Sequence, residues 1–351
     1  MALGYTARRN LRDVISVALA GSAIGILISY IIGGSEFTYR AALNGIIIGA
    51  LVGGSIVLFE GILLRERLRR MRFTNALLLR TFVQVCIITY YAILTILVYN
   101  ALLYNIPLSE ALSHPNFLGF IRVELIEVIL YSIVAGFLLN FTRQTNRMLG
   151  QGSLFNVMTG KYAYPKEETR IFMFSDLESS TTIAEKIGNI QYHRFLDDYY
   201  FDITQPIVEC SGEIYQYIGD EIVVTWKLNK GLRNADCIRC FFEMQRTIAS
   251  KREIYLEKHG YVPGFKAGYH VGMVITGEIG DIKKEIVFNG DVVNTAARIQ
   301  AQCKELKAPI LISGELLKLL DLSNDLSAEG AGSFLLKGKE NEVELFRIFE
   351  K

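Results

Sequence analysis

Long uncharged apolar runs fill the first 160 residues. After them, apolar positions fall in short alternating or helically spaced groups among acids and lysines. Four runs approach the roughly 20 residues that a helix rising about 1.5 Å per residue needs to cross a hydrocarbon core about 30 Å thick. They are residues 14–32, 41–59, 81–104 and 120–141, the last interrupted early by Arg122, Glu124 and Glu127. Arg8, Arg9 and Arg12 precede the first run, and Arg65, Arg67, Arg69, Arg70 and Arg72 fill the connection between the second and third. The other two connections contrast, since residues 33–40 hold one base and residues 105–119 none. Positive charge is retained on the cytoplasmic side, so four spans with both ends inside are predicted. A signal peptide is the alternative for the first run, where Ala18, Ala20, Ser22 and Ala23 follow Arg8 and Arg9, but the run is longer than a usual signal core.

Glu124 and Glu127 share one helical face, so both suit either the bundle interior or the outer interface, where carboxylates reach headgroups or pair with Arg122. Glu60 reads as an interface residue beside the arginine-rich loop. From Phe141 the sequence turns polar (FTRQTNRMLGQGSLFNVMTG), with Gly150 and Gly152 placed to end any helix leaving the fourth span. A plain linker and a signal-transmitting helix pair both fit this segment.

Beyond residue 161 element types alternate. RIFMFSD (170–176) reads as a buried strand, and residues 180–210 as helix broken near Gly188. EIYQYIGDEIVVTW (213–226) is two β-rich runs pivoting on Gly219-Asp220, a hairpin. A helical stretch over 234–259, strands over 265–271 and 274–280, a helix over 292–303 and late strands over 309–312 and 342–348 complete the pattern. This order predicts an antiparallel sheet carrying helices on one face, an α+β sandwich of the ferredoxin-like kind. The expected organisation is an α-helical transmembrane bundle over 1–141, a connecting segment over 142–161 and the α+β domain over 162–351.

Of the 351 residues 51% are apolar and 21% charged, averages that combine a membrane part with a polar part and exclude a single soluble globule. The net charge of +1, from 37 bases against 36 acids, gives no electrostatic footprint for nucleic acid. Four of the five cysteines lie in the polar half, and the odd number argues for a reducing compartment without disulfides. Cys237 and Cys240 form a lone C-x-x-C on an amphipathic helix, better read as buried than as a zinc site. His270 reads as a structural strand residue, and the four histidines all lie outside the spans, which argues against a membrane haem.

Asp176 ends the first strand of the polar half and Asp220 occupies the hairpin turn. Carboxylates at adjacent strand ends suit hard divalent cations shared with a polyphosphate, although aspartate in a turn is commonly only a turn residue. Ser179, Ser180 and Thr181 follow Asp176, as hydroxyls that cap a helix whose free N–H groups suit phosphate oxygens, or as an ordinary cap. Asn294 and Arg298 lie one turn apart on a helix, and Lys337 precedes Gly338 in LLKGKENEVELF. An amide and a guanidinium suit a ribose and a phosphate, and Lys337 a terminal phosphate, beside the plainer reading of solvated side chains.

Taken in order, FSDLESST, YIGDEIVV, AGYHVGMVITGEIG, GDVVNTAARI and LKGKENEVELF resemble the successive motifs of the class III nucleotidyl cyclases, the adenylyl and guanylyl cyclase catalytic family, over roughly residues 167–350. The resemblance implies that Asp176, Asp220 and the Leu177 carbonyl bind two Mg²⁺ or Mn²⁺ ions. Asn294 and Arg298 would hold the ribose and the pentavalent phosphorus, Lys337 the polyphosphate, and Ser179, Ser180 and Thr181 would line the substrate. It also implies a homodimer with sites across the interface, because the metal aspartates and the Asn/Arg pair come from different chains. At the base-reading positions stand Gln216 and Val287, which match neither the adenylyl nor the guanylyl pattern. Gln216 can serve either purine and Val287 reads nothing through its side chain. Family frequency favours ATP, making the chain resemble a membrane-bound adenylate cyclase of the cell membrane with its N-terminus and catalytic domain cytoplasmic. The membrane half resembles an anchor or sensor with room for a ligand or partner of its own. A guanylate cyclase and a non-catalytic cyclase-like receptor are the alternatives. A diguanylate cyclase fits less well, because Ile218 replaces the first glycine of its G-G-D-E-F turn and Asn294 and Arg298 would be unexplained.

Overall fold

The computed structural model describes residues 14–15, 17–27, 30, 39–59, 65–149, 156, 159–322 and 325–351. Glu60, Gly150, Gly152 and the arginines at 8, 9 and 12 lie outside them. The chain divides into two compact units, Met1–Met148 and Leu149–Lys351.

In the first unit, two helices are long and apolar enough to cross a membrane, Phe73–Tyr104 and Pro115–Asn146, and Val17–Leu27 and Ala42–Leu58 are shorter apolar helices. The shorter two meet backbone to backbone. A Cβ on Gly25 would lie 1.9 Å from the Gly45 carbonyl oxygen and one on Gly21 2.1 Å from that of Gly49, so only glycines permit this approach. Ser22 adds a 3.1 Å bond to the Ile46 carbonyl. Between the longer helices, Asn140 Nδ2 donates to Gln84 Oε1 at 3.1 Å and Thr81 Oγ1 at 3.4 Å, opposite the gap left by Gly136. Glu124 and Glu127 are exposed; the interior polar contacts come from Thr81, Gln84 and Asn140 instead. The helix Leu125–Leu149 carries the polar segment after Phe141 well past the end of the apolar run.

The second unit is an eight-stranded sheet among the described residues, with β1 (Lys166–Leu177), β2 (Glu213–Ile218), β3 (Glu221–Lys227), β4 (Phe265–Ile279), β5 (Glu285–Asn289), β6 (Ile310–Ser313), β7 (Leu326–Phe334) and β8 (Val343–Glu350). Its order is β2-β3-β1-β4-β6-β8-β7, with β5 pairing β4. The helices are α1 (Ser180–Ile187), α2 (Asn189–Glu209), α3 (Asp236–Ser250), α4 (Arg252–His259) and α5 (Asp291–Glu305), with short turns between.

Four expectations need correction. The sheet is mixed, because β4 and β6 run parallel, and helices cover both faces. Ile171 and Met173 pack with Phe195, Tyr199 and Phe241 from α2 and α3. Phe172 and Phe174 pack with Val292 and Ala296 of α5. The unbroken apolar run of β1 is the signature of a strand buried on both faces. The strands read as 265–271 and 274–280 are one, β4, and the helix read over 234–259 is broken into α3 and α4. Cys237 and Cys240 are fully buried, and His270 is buried with Nδ1 2.8 Å from Ser313 Oγ.

Candidate active site

Antiparallel pairing of β1 with β3 sets Asp176 opposite Glu221, which places Asp220 one residue further, in the β2–β3 turn. Gly219 takes φ +67 there, a conformation glycine adopts without strain. Tyr200 of α2 supports the turn: its hydroxyl donates to the Gly219 carbonyl at 2.9 Å and its ring contacts Tyr217. Burial first, and then the charge of Asp220, pushes the Asp176 carboxyl up to about 6. Glu221 is pushed up to about 7 by burial and then by Asp176 and Asp220. Lys266 stands opposite Asp176 on β4 but pairs with Glu178 at 3.1 Å. Neither aspartate has an ion-pair partner among the described residues.

Two crowded carboxylates lacking a cation fit a hard divalent ion that takes its other ligands from water and substrate. No group of three or more His, Cys, Asp or Glu gathers as a metal cage among the described residues, and Mg²⁺ sites of this class do not require one. The Leu177 side chain is buried, leaving only its main chain to face such an ion. Ser179 occupies the N-cap of α1 at φ 57, yet its side chain makes no capping bond. The expected hydroxyl cap is therefore absent, because the left-handed backbone of Ser179 departs from the extended geometry that capping uses. Ser180 is half-buried and Thr181 exposed.

The second cluster lies on α5, which crosses the sheet where β4 has glycines. A Cβ on Gly268 would lie 2.1 Å from the Gln300 nitrogen, and one on Gly272 2.5 Å from Val292 Cγ2. Asn294 is exposed at the start of this helix, and Arg298 follows one turn later with its Nη1 buried and unpartnered. Above the guanidinium passes Gly338 at φ +75, where a Cβ would lie 3.3 Å from Arg298 Nη2. Lys337 is exposed, whereas Lys339 is ion-paired to Asp291 at the first turn of α5.

Within one chain α5 runs along the sheet toward the aspartates, and Gln300, near its middle, hydrogen-bonds Asp176. The first turn of α5 lies over Gly272, which pairs with Arg170, six residues along β1 from Asp176, while Gln300 lies over Gly268, which pairs with Phe174, two residues from it. The Lys337 turn lies on α5, with Leu336 packed on Ile299 and Cys303 and Gly338 on the Arg298 guanidinium. Asp176 and Asp220 thus meet at the end of β1 and the β2–β3 turn, and Arg298 lies beneath the Lys337–Gly338 turn. Gln216 is exposed on β2 just after a bulge, and Val287 is half-buried on β5 opposite Gly277. Tyr215 and Phe172 both contact the Phe288 ring, at 4.9 and 5.5 Å, tying these strands together. Sequence reasoning missed Glu221, Tyr200, Asp291 and Lys339. Glu221 had a signal in the Gly-Asp-Glu turn, whereas the others depend on tertiary contacts.

A family model described as the adenylate and guanylate cyclase catalytic domain matches residues 162–349. Adenylate cyclase 2 of Rhizobium meliloti (strain 1021) is 30% identical over 223 residues, covering 64% of this chain and 61% of that protein. A receptor-type guanylate cyclase of Caenorhabditis elegans is 28% identical over 201 residues, 55% of this chain and 17% of that protein. The chain therefore spans less than two thirds of the length of these relatives. The structure of a bacterial light-regulated adenylyl cyclase aligns with a TM-score of 0.52 at 20% identity, over 61% of this chain and 64% of that one, a likeness of fold.

Proposed function

The chain belongs to the adenylate and guanylate cyclase catalytic family, and from that membership we propose that it converts ATP to 3′,5′-cyclic AMP and pyrophosphate. The observation that carries the reading is the uncompensated pair Asp176 and Asp220, held together at adjacent strand ends with no basic partner among the described residues. The ribose 3′-oxygen forms a bond to the α-phosphorus, the bond from that phosphorus to the bridging oxygen of pyrophosphate breaks, and the 3′-hydroxyl proton is released. Two Mg²⁺ or Mn²⁺ ions, held by Asp176, Asp220 and the Leu177 carbonyl, would supply charge neutralisation for the triphosphate. Asn294 orients the ribose, Arg298 stabilises charge on the reacting phosphate and Lys337 holds the terminal phosphates. Such a transfer needs mainly positioning and electrostatic stabilisation. Ser179 to Thr181 present main-chain N–H groups and hydroxyls to the triphosphate. Gln216, whose amide both donates and accepts, reads the purine beside Val287.

As the family resemblance implies, the chain works as a homodimer in which each substrate lies between the aspartates of one protomer and Asn294, Arg298 and Lys337 of the other. We read the four apolar segments of residues 1–141 as spans of the cell membrane, residues 142–161 as the connection and residues 162–351 as the cytoplasmic catalytic domain. The glycine contact of the two shorter helices supports spans too, since small residues bring backbones together in lipid. Full-length protein in membranes should form cyclic AMP from ATP with Mg²⁺ or Mn²⁺ and lose that activity in EDTA and in Asp220→Ala. Preferential conversion of GTP would reassign the base, and undiminished turnover by Asp220→Ala would remove the aspartates from the reaction.

A further inference from the structure

The turn carrying Lys337 is fixed at each of its corners. Its first residue, Leu336, is buried among Ile299, Cys303 and Leu345. Its last, Lys339, returns a 2.9 Å bond from its N–H to the Leu336 carbonyl. Gly338, between them, lies on the Arg298 guanidinium in a backbone conformation that L side chains rarely adopt. Two lysines flank this glycine, and they are not equivalent. Lys337 is exposed, while the ammonium of Lys339 is bound to Asp291, which also accepts a 3.4 Å bond from Thr295 Oγ1. Asp291 opens α5, the helix that carries Asn294 and Arg298. The ion pair therefore joins the first turn of that helix to the loop whose Gly338 lies on the Arg298 guanidinium.

We propose that Asp291 and Lys339 form a positioning clasp: their ion pair holds the Lys337 turn against α5, so that Lys337 and Arg298 meet the triphosphate at a fixed separation. This rests on the cyclase reading of the site. Neither clasp residue touches substrate. With Lys339 neutralised by Asp291, the positive charge offered to phosphate is that of Lys337 and Arg298. An ion pair this exposed contributes little to folding stability, so its loss acts on placement rather than on the fold.

The test uses the full chain, solubilised in detergent, with Asp291→Asn, Lys339→Met, Lys339→Arg and the double variant Asp291→Asn/Lys339→Met. Each neutral single variant should raise KM for ATP about tenfold and change kcat less than about threefold, because the polyphosphate grip acts in ground and transition states alike. Lys339→Arg should stay within about twofold of wild type, and the double variant should be no worse than the poorer single, as one shared interaction requires. Thermal stabilisation by pyrophosphate with Mg²⁺ should fall in the same order, a readout independent of turnover. Protein that is stabilised by pyrophosphate in this order yet turns over neither ATP nor GTP would keep the clasp and sink the cyclase reading. The clasp is overturned if Asp291→Asn tightens pyrophosphate or ATP while Lys339→Met weakens it, which would make Lys339 itself a phosphate ligand. It is equally overturned if both singles match wild type in KM and in pyrophosphate stabilisation, or if their effects multiply in the double variant.

Discussion

Asp176 stands half-buried against Asp220, and burial together with that neighbouring charge raises its carboxyl from 3.8 to about 6. Between these values the folded chain holds a proton that the unfolded chain has released. The contribution of this group to stability is therefore complete below about pH 3.8 and is lost as pH rises through about 6. Glu221, raised from 4.5 to about 7, has the same sign. Metal-free protein should accordingly lose thermal stability between about pH 4 and 7 through these groups, and Asp176→Asn should flatten part of that loss. The variant should melt higher than wild type at pH 7.5 in EDTA while making no cyclic AMP; a lower melting temperature would contradict the crowding. Asp176 and Asp220 were legible in the sequence because a carboxylate after a buried strand and another in a hairpin turn are conspicuous. Tyr200 and Lys339 were not, because each acquires its role from a partner that only the fold brings near.

The elements were most legible where glycine punctuates them. Gly188, at φ +79, separates α1 from α2 as its sequence position implies, and the Gly219 turn joins β2 to β3. β7 escaped notice because LSAEGAGSF lacks the alternation of a half-buried strand, and β5 because EIVFN is short and follows the charged DIKK. The parallel pairing of β4 with β6 has no local signal, since register partners far apart in sequence decide it. Docking of α5 depends on Gly268, whose absent side chain leaves room for the Gln300 backbone. Gly268→Ala should cost about 3 kcal/mol or more, because the helix backbone cannot yield as a side-chain tip would. Urea unfolding of the full chain checks this, and a loss below about 0.5 kcal/mol would show that α5 does not rely on the contact. In the first unit the acids Glu124 and Glu127 drew attention, while Thr81, Gln84 and Asn140 make the interior hydrogen bonds. Their polarity is unremarkable in sequence and gains meaning only from helix rotation.

At the scale of the molecule, orientation and chemistry constrain each other, because nucleoside triphosphate is available only inside the cell. If the arginines of residues 65–72 are cytoplasmic, the chain must cross twice before the catalytic unit, and residues 105–119 must lie outside. A cysteine at Ser113 in a Cys-free background should react with an impermeant thiol reagent on intact cells, whereas one at Gly152 should not; the reverse labelling would put the catalytic unit on the wrong side. Joining two chains into a working site is the central claim, and it rests on membership of the cyclase catalytic family together with the presence of both residue sets in one chain. Co-expression of Asp176→Ala with Arg298→Ala, each inactive alone, tests it most directly. Random pairing makes half the dimers mixed, each with one site free of both defects, so about a quarter of wild-type cyclic AMP formation should return. Heterodimers that form, by tagged co-purification, yet remain inactive at every mixing ratio would contradict a site shared between protomers.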